Sequence, residues 1–156
     1  MTAWRPIAAA VALVLCAAAP RVHASRVPSL APRQDARDPH ALFDRILDTY
    51  VRDGDVYYRA LKSERAALDR YIASLDVPAA EIKRALNDDQ LAFWMNAYDA
   101  LVLRTVIDHY PITTVTPEYP ARSIRQIPGA FDGLRHRVAG ESLTLDEIEK
   151  TKIIPL

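Results

Sequence analysis

One cysteine, Cys16, is the entire thiol content of this 156-residue chain. It sits in an apolar stretch near the N-terminus. If that stretch is removed, the mature chain has no thiol, which excludes disulfides, thiolate metal sites and a cysteine nucleophile supplied by these residues. Net charge is also lacking. The 20 basic and 20 acidic side chains cancel, and without Arg5 and Arg21 the acids slightly outnumber the bases. That is not the basic footprint of a nucleic-acid binder, so no nucleic-acid partner is expected. No G-x-S-x-G elbow, phosphate loop, dinucleotide fingerprint, H-x-H or H-E-x-x-H pair occurs. The histidines beyond residue 24 are His40, His109 and His136. A metal site would have to assemble from them entirely in three dimensions, and neither metal nor cofactor is expected.

There is one sustained apolar run, Ile7 to Ala19. About thirteen residues rising 1.5 Å each do not cross roughly 30 Å of hydrocarbon, and no later segment is apolar enough, so no transmembrane segment is expected after processing. Arg5 in front of the run, and Val22 and Ala24 at the minus-three and minus-one positions, instead fit a signal peptide at residues 1–24. The chain is therefore expected to be exported, periplasmic or secreted. Cys16 invites a lipoprotein reading, but Leu15 is too bulky for the small residue wanted before an acylated cysteine.

About 132 residues follow the cleavage point, one domain's worth. Residues 25–37, with Pro28 and Pro32, show no periodicity and read as a flexible lead-in. From Asp38-Pro39 a helix is expected, capped by Asp38, apolar along Leu42, Phe43, Ile46, Leu47, Tyr50 and Val51, and ended by Gly54. A short extended element at Val56 to Tyr58 precedes a helix started by Ser63 that buries Leu68, Tyr71, Ile72 and Leu75. A brief helix follows Pro78. The long central helix is capped by Asn87 or Asp88 and stops near His109, before Tyr110-Pro111. Prolines at 111, 117, 120 and 128 make the next stretch a loop. Leu134 to Val138 and Ser142-Leu143 then read as a hairpin, with His136 facing solvent. Thr144 to Glu147 fits a capping box, stapled by Leu143 and Ile148, with Asp146 and Lys150 as an i,i+4 pair.

The central helix contains FWMNAYDALVL, residues 93–103. Its apolar residues cover so much of the circumference that it reads as a core helix, and Asn96 and Asp99, three apart and therefore neighbours, are expected to be buried polar groups. Buried without partners they would cost about 1 to 3 kcal/mol. Either they hold a neighbouring loop, or they orient a catalytic group. Glu147 is accounted for by the capping box, and Glu149 points to another side of its helix. Ser123 and Ser142 read as loop and strand residues.

LAFWMNAYDALVLRTVIDHYP, followed by SIRQIPGAFDGLRHRVAGESLTLDEIEK, resembles the family catalogued as domain of unknown function 547. That family shares an AFWINAYNAL helix, an SIRDI-type segment and a LSLDDIEH-type helix start, and residues 41–156 fit its order. Asn96 matches the motif's asparagine and Glu149 its glutamate. Asp99 stands where asparagine is commoner, and Lys150 where histidine often follows. Family members continue into a cysteine-bearing stretch resembling NCGARSCP. The resemblance therefore implies that residues 38–156 are the N-terminal part of a domain, with a grouping similar to papain-like hydrolases. The expected fold is α+β and predominantly helical, an incomplete domain with a long buried central helix and a small antiparallel sheet or hairpin. Two functions follow. One is part of an exported hydrolase-like domain, inactive by itself, with Asn96 and Glu149 as its catalytic candidates. The other is a non-catalytic periplasmic module that binds an unknown small molecule or protein.

Overall fold

A computed structural model describes residues 38–156. The signal segment at 1–24, the lead-in at 25–37 and Cys16 lie outside the described residues. The fold is α+β and predominantly helical, with six α-helices and two separate two-stranded antiparallel sheets among the described residues.

Helix α1, Ala41–Tyr50, buries Ala41, Phe43, Ile46 and Tyr50. Asp38 supports its approach one step earlier than a cap would, its Oδ1 accepting from the His40 amide at 2.8 Å. The helix ends before Gly54. Val51 is already extended, and Asp53 and Gly54, both at positive φ, turn a hairpin between β1, Val51–Arg52, and β2, Asp55–Val56. An Asp-Gly pair suits a two-residue hairpin turn better than a helix stop, which corrects the expected boundary.

Helix α2, Tyr58–Ser63, precedes α3, Ala66–Ser74. Ser63 ends the first instead of starting the second, because its hydroxyl donates to the Arg59 and Ala60 carbonyls, both at 3.0 Å. Leu68, Tyr71, Ile72 and Leu75 are buried as their spacing predicts. A single turn, α4, Ala79–Ile82, follows Pro78. Helix α5, Asn87–His109, then runs through the middle of the molecule. Leu86, not Asn87 or Asp88, is its cap residue, and no side chain caps it. Asp88 and Asp89 in the first turn still favour the positive end of the helix dipole.

The core forms where α2, α3 and α6 meet α5, with α1 packed against α3. Phe43 stacks on Tyr71 with ring centres 4.8 Å apart, and Ala97, Ala100, Leu101 and Ile107 are completely buried. Strands β3, His136–Val138, and β4, Glu141–Leu143, pair across an Ala139-Gly140 turn. This hairpin is fastened to the end of α3. Ala139 N donates to the Leu75 carbonyl at 2.9 Å, and Gly140 N donates to Asp76 Oδ1 at 2.8 Å. Arg137 also reaches Asp76, at 2.9 Å. The strand's alternation turns Arg137 outward and His136 inward, leaving His136 only 6% exposed. Its expected solvent exposure is thereby corrected: in so short a strand the parity of the register sets the facing.

Helix α6, Leu145–Ile148, begins with the expected capping box. Thr144 Oγ1 accepts from Glu147 N at 3.1 Å, and Glu147 Oε2 accepts from Thr144 N at 2.8 Å. Leu143 and Ile148 are both buried beside it. The chain continues through a π-helical turn, Glu149–Ile153. No described helix is long and apolar enough to cross a membrane.

Candidate functional site

The proline-rich loop after α5 is organised by one buried amide. Gln126, 2% exposed, lies in a 3-10 turn, Ile124–Gln126, whose start is capped by Ser123 Oγ. Its Oε1 accepts from Thr116 N at 2.7 Å, and its Nε2 donates to the Thr116 and Tyr119 carbonyls at 3.0 and 2.7 Å. Both ends of the amide are satisfied, and the loop closes on itself around it. A second tight turn follows. Gly129, at φ +67°, approaches Gly133 so closely that a Cβ on it would stand 3.2 Å from the Gly133 Cα. Its carbonyl accepts from the Gly133 and Leu134 amides. Phe131 is carried at the tip of this turn, which is tied to α6 where Asp146 N donates to the Phe131 carbonyl at 2.9 Å.

These two turns place Arg125 over two aromatic rings. Its guanidinium carbon is 5.1 Å from the Phe131 ring centre and 5.8 Å from that of Tyr119. Cation–π attraction of this kind contributes on the order of 0.5–1 kcal/mol at an exposed site. Arg125 forms no ion pair among the described residues. It lines a cleft of about 660 Å³ together with Tyr98 from α5, Asp146 and Glu149 from the last helical stretch, and Glu118 and Asp132 from the loop. Burial raises the Tyr98 pKa, reinforced by Glu149, Asp146 and Asp99 and opposed by Arg125. The phenol is therefore a neutral hydrogen-bond donor near neutral pH. Asp146 is engaged by Lys150 at 2.6 Å. Among the described residues no cysteine, serine or histidine lines the cleft; its aliphatic hydroxyls are those of Thr114 and Thr116, and that of Thr116 is held by Gln126. Among the described residues neither hydroxyl is hydrogen-bonded to a base.

Of the residues expected from the sequence, Glu149 lies in this cleft and Asn96 does not. Asn96 opens onto a separate cavity of about 730 Å³, shared with Asp38, His40, Asp44 and Phe93. There His40 Nδ1 and Tyr71 Oη are 2.7 Å apart. Burial lowers the His40 pKa against the pull of Asp38 and Asp44, and burial is also the main cause raising that of Tyr71. Asp99 opens onto a shallow recess of about 220 Å³ with Met95, Tyr98, Glu149 and Ile153. It is exposed, yet surrounding protein still pushes its pKa upward. Asn96 is half-buried, and neither side chain hydrogen-bonds to another described residue. The expected buried pair is thereby corrected: Asn96 is half-buried, Asp99 is exposed, and the two open onto different recesses. Sequence reasoning missed Arg125, Tyr119, Phe131 and Tyr98. The signal was the SIRQIPGAF segment, which carries Arg125 and Phe131.

Among the described residues no group of three or more histidine, cysteine or acidic side chains is positioned to hold a metal. Residues 82–155 match the family model described as Protein of unknown function, DUF547. This segment belongs to that family. The matched stretch runs from the end of α4 through α5, the Arg125 loop, the β3–β4 hairpin and α6, and so contains every residue that lines the cleft. Helices α1 to α3 precede it. No curated protein and no solved structure gives a significant match to the chain.

Proposed function

We propose that this chain is an exported small-molecule-binding module, and that the DUF547 segment holds its ligand in the Arg125 cleft. Export rests on the residue 1–24 pattern: a basic start, a short apolar run, and Val22 and Ala24 before the cleavage point. Binding rests above all on one observation. Arg125 is held by two aromatic faces instead of a carboxylate, so its N–H groups remain available in a cleft of ligand size.

A hydrolase-like role for a larger domain is the second reading. The family resemblance and the presence of Glu149 in the same cleft favour it. In that case the nucleophile comes from outside the described residues, and the cleft supplies substrate contacts.

The test is amide chemical-shift mapping on the processed chain with a library of small polar fragments. Binding in the proposed place shifts Tyr98, Arg125, Phe131 and Glu149 together. Shifts confined to the Asn96 cavity, or none at all, would overturn the assignment.

A further inference from the structure

Four carboxylates, Glu118, Asp132, Asp146 and Glu149, line the cleft around a single guanidinium. Only Asp146 has an ion-pair partner among the described residues, Lys150 at 2.6 Å. Arg125 pairs with none of the four, although all share its cleft. Such a cleft rejects a simple anion, which would enter a predominantly negative field. A simple cation meets the carboxylates but leaves the Arg125 N–H donors without an acceptor. What satisfies both poles is a ligand that carries opposite charges close together.

We propose that the cleft binds a zwitterion of the free α-amino-acid class, its carboxylate on Arg125 and its ammonium on the Glu149 side. This rests on the binding reading above and specifies its ligand. The neighbours of the guanidinium are the Phe131 and Tyr119 rings and not a carboxylate, which leaves its N–H donors for the carboxylate of a ligand. Tyr98 stands within electrostatic influence of both Arg125 and Glu149, and its neutral hydroxyl adds a donor for the ligand carboxylate. The ammonium meets Glu149, whose carboxylate has no ion-pair partner among the described residues. The site takes a charge pair already formed and needs no proton transfer.

Three probes on one carbon skeleton separate the poles: L-leucine, 4-methylpentanoate without the ammonium, and isoamylamine without the carboxylate. Each is titrated into the processed chain and followed by calorimetry and by amide shifts at Arg125, Tyr98 and Glu149. Leucine binds there, and each single-charge analogue binds at least about tenfold more weakly, the scale of one charge-assisted contact. Arg125→Gln and Glu149→Gln each weaken leucine by a similar factor. Both positions are exposed, so unchanged thermal unfolding of the variants controls for folding. If either analogue binds as tightly as leucine, the zwitterion assignment is wrong while the cleft remains a binding site. The same holds if none of the three binds but other fragments shift the cleft. If the cleft stays silent to every fragment and all three probes, both readings fall.

Discussion

The side-chain amide of Gln126 donates to the Tyr119 carbonyl at 2.7 Å and thereby sets one of the two rings that hold Arg125. The same side chain also accepts from Thr116 N. Gln126→Leu should therefore leave the half-buried Thr116 amide and the Tyr119 carbonyl without their partner and cost about 1–3 kcal/mol. Hydrogen exchange across residues 111–133 should accelerate, with α5 remaining protected. A uniform acceleration throughout the domain would show that Gln126 supports the whole core and not the loop.

His136 makes stability depend on pH. It is buried, and neither ring nitrogen has a hydrogen-bond partner among the described residues. Burial depresses its pKa, Arg104 adds to the effect and Asp108 opposes it. The unfolded chain then binds the proton more readily, so stability is fully present above the unfolded value of about 6.5 and falls as pH drops through and below it. Because His40 is shifted the same way, it contributes to the same window. Denaturant midpoints should fall between about pH 7.5 and about pH 5, and His136→Leu should flatten part of that slope. An unchanged slope in the variant would assign the effect to His40 and the carboxylates.

Leu101 and Asn96 lie on the same helix with opposite consequences. Leu101→Ala opens a cavity in the fully buried centre and should cost about 2–5 kcal/mol. Asn96→Leu should change stability by no more than about 1 kcal/mol, since the amide is half-buried and lacks a protein partner. It should also leave binding in the Arg125 cleft unchanged. Thermal unfolding and the leucine titration measure both, and a binding loss in Asn96→Leu would join the two cavities functionally.

Thr144→Ala removes the cap that starts α6 and should cost about 0.5–2 kcal/mol. Asp146 and Glu149 follow directly on that start. Ligand affinity should therefore fall with stability in this variant, whereas Thr144→Ser should retain both. Equal losses in the serine variant would assign the effect to the threonine methyl group.

The capping box and the core faces of α1, α3 and α5 were legible because their signals are local. Thr144 and Glu147 are three residues apart, and Leu68, Tyr71, Ile72 and Leu75 repeat at helical spacing. The candidate site was legible only at Glu149, through a resemblance. Arg125 gains its meaning from Tyr119 and Phe131, which backbone turns and the Gln126 amide bring to it, and no periodicity encodes that meeting. On α5 so many sides are apolar that pattern alone does not say which polar row meets solvent, so Asn96 and Asp99 were placed too deep. Asp53-Gly54 carries a hairpin signal, but a glycine after a helical pattern also reads as a stop, so sequence alone leaves that boundary ambiguous.

The clasp between Leu75-Asp76 and Ala139-Gly140 joins positions on either side of α5 and the whole Arg125 loop. Everything between them forms a closed ring of chain. A protease cut inside residues 111–133 would therefore yield two polypeptides that stay docked, each contributing one edge of the clasp. Such a nicked molecule would migrate as one species under native conditions and as two under denaturing ones.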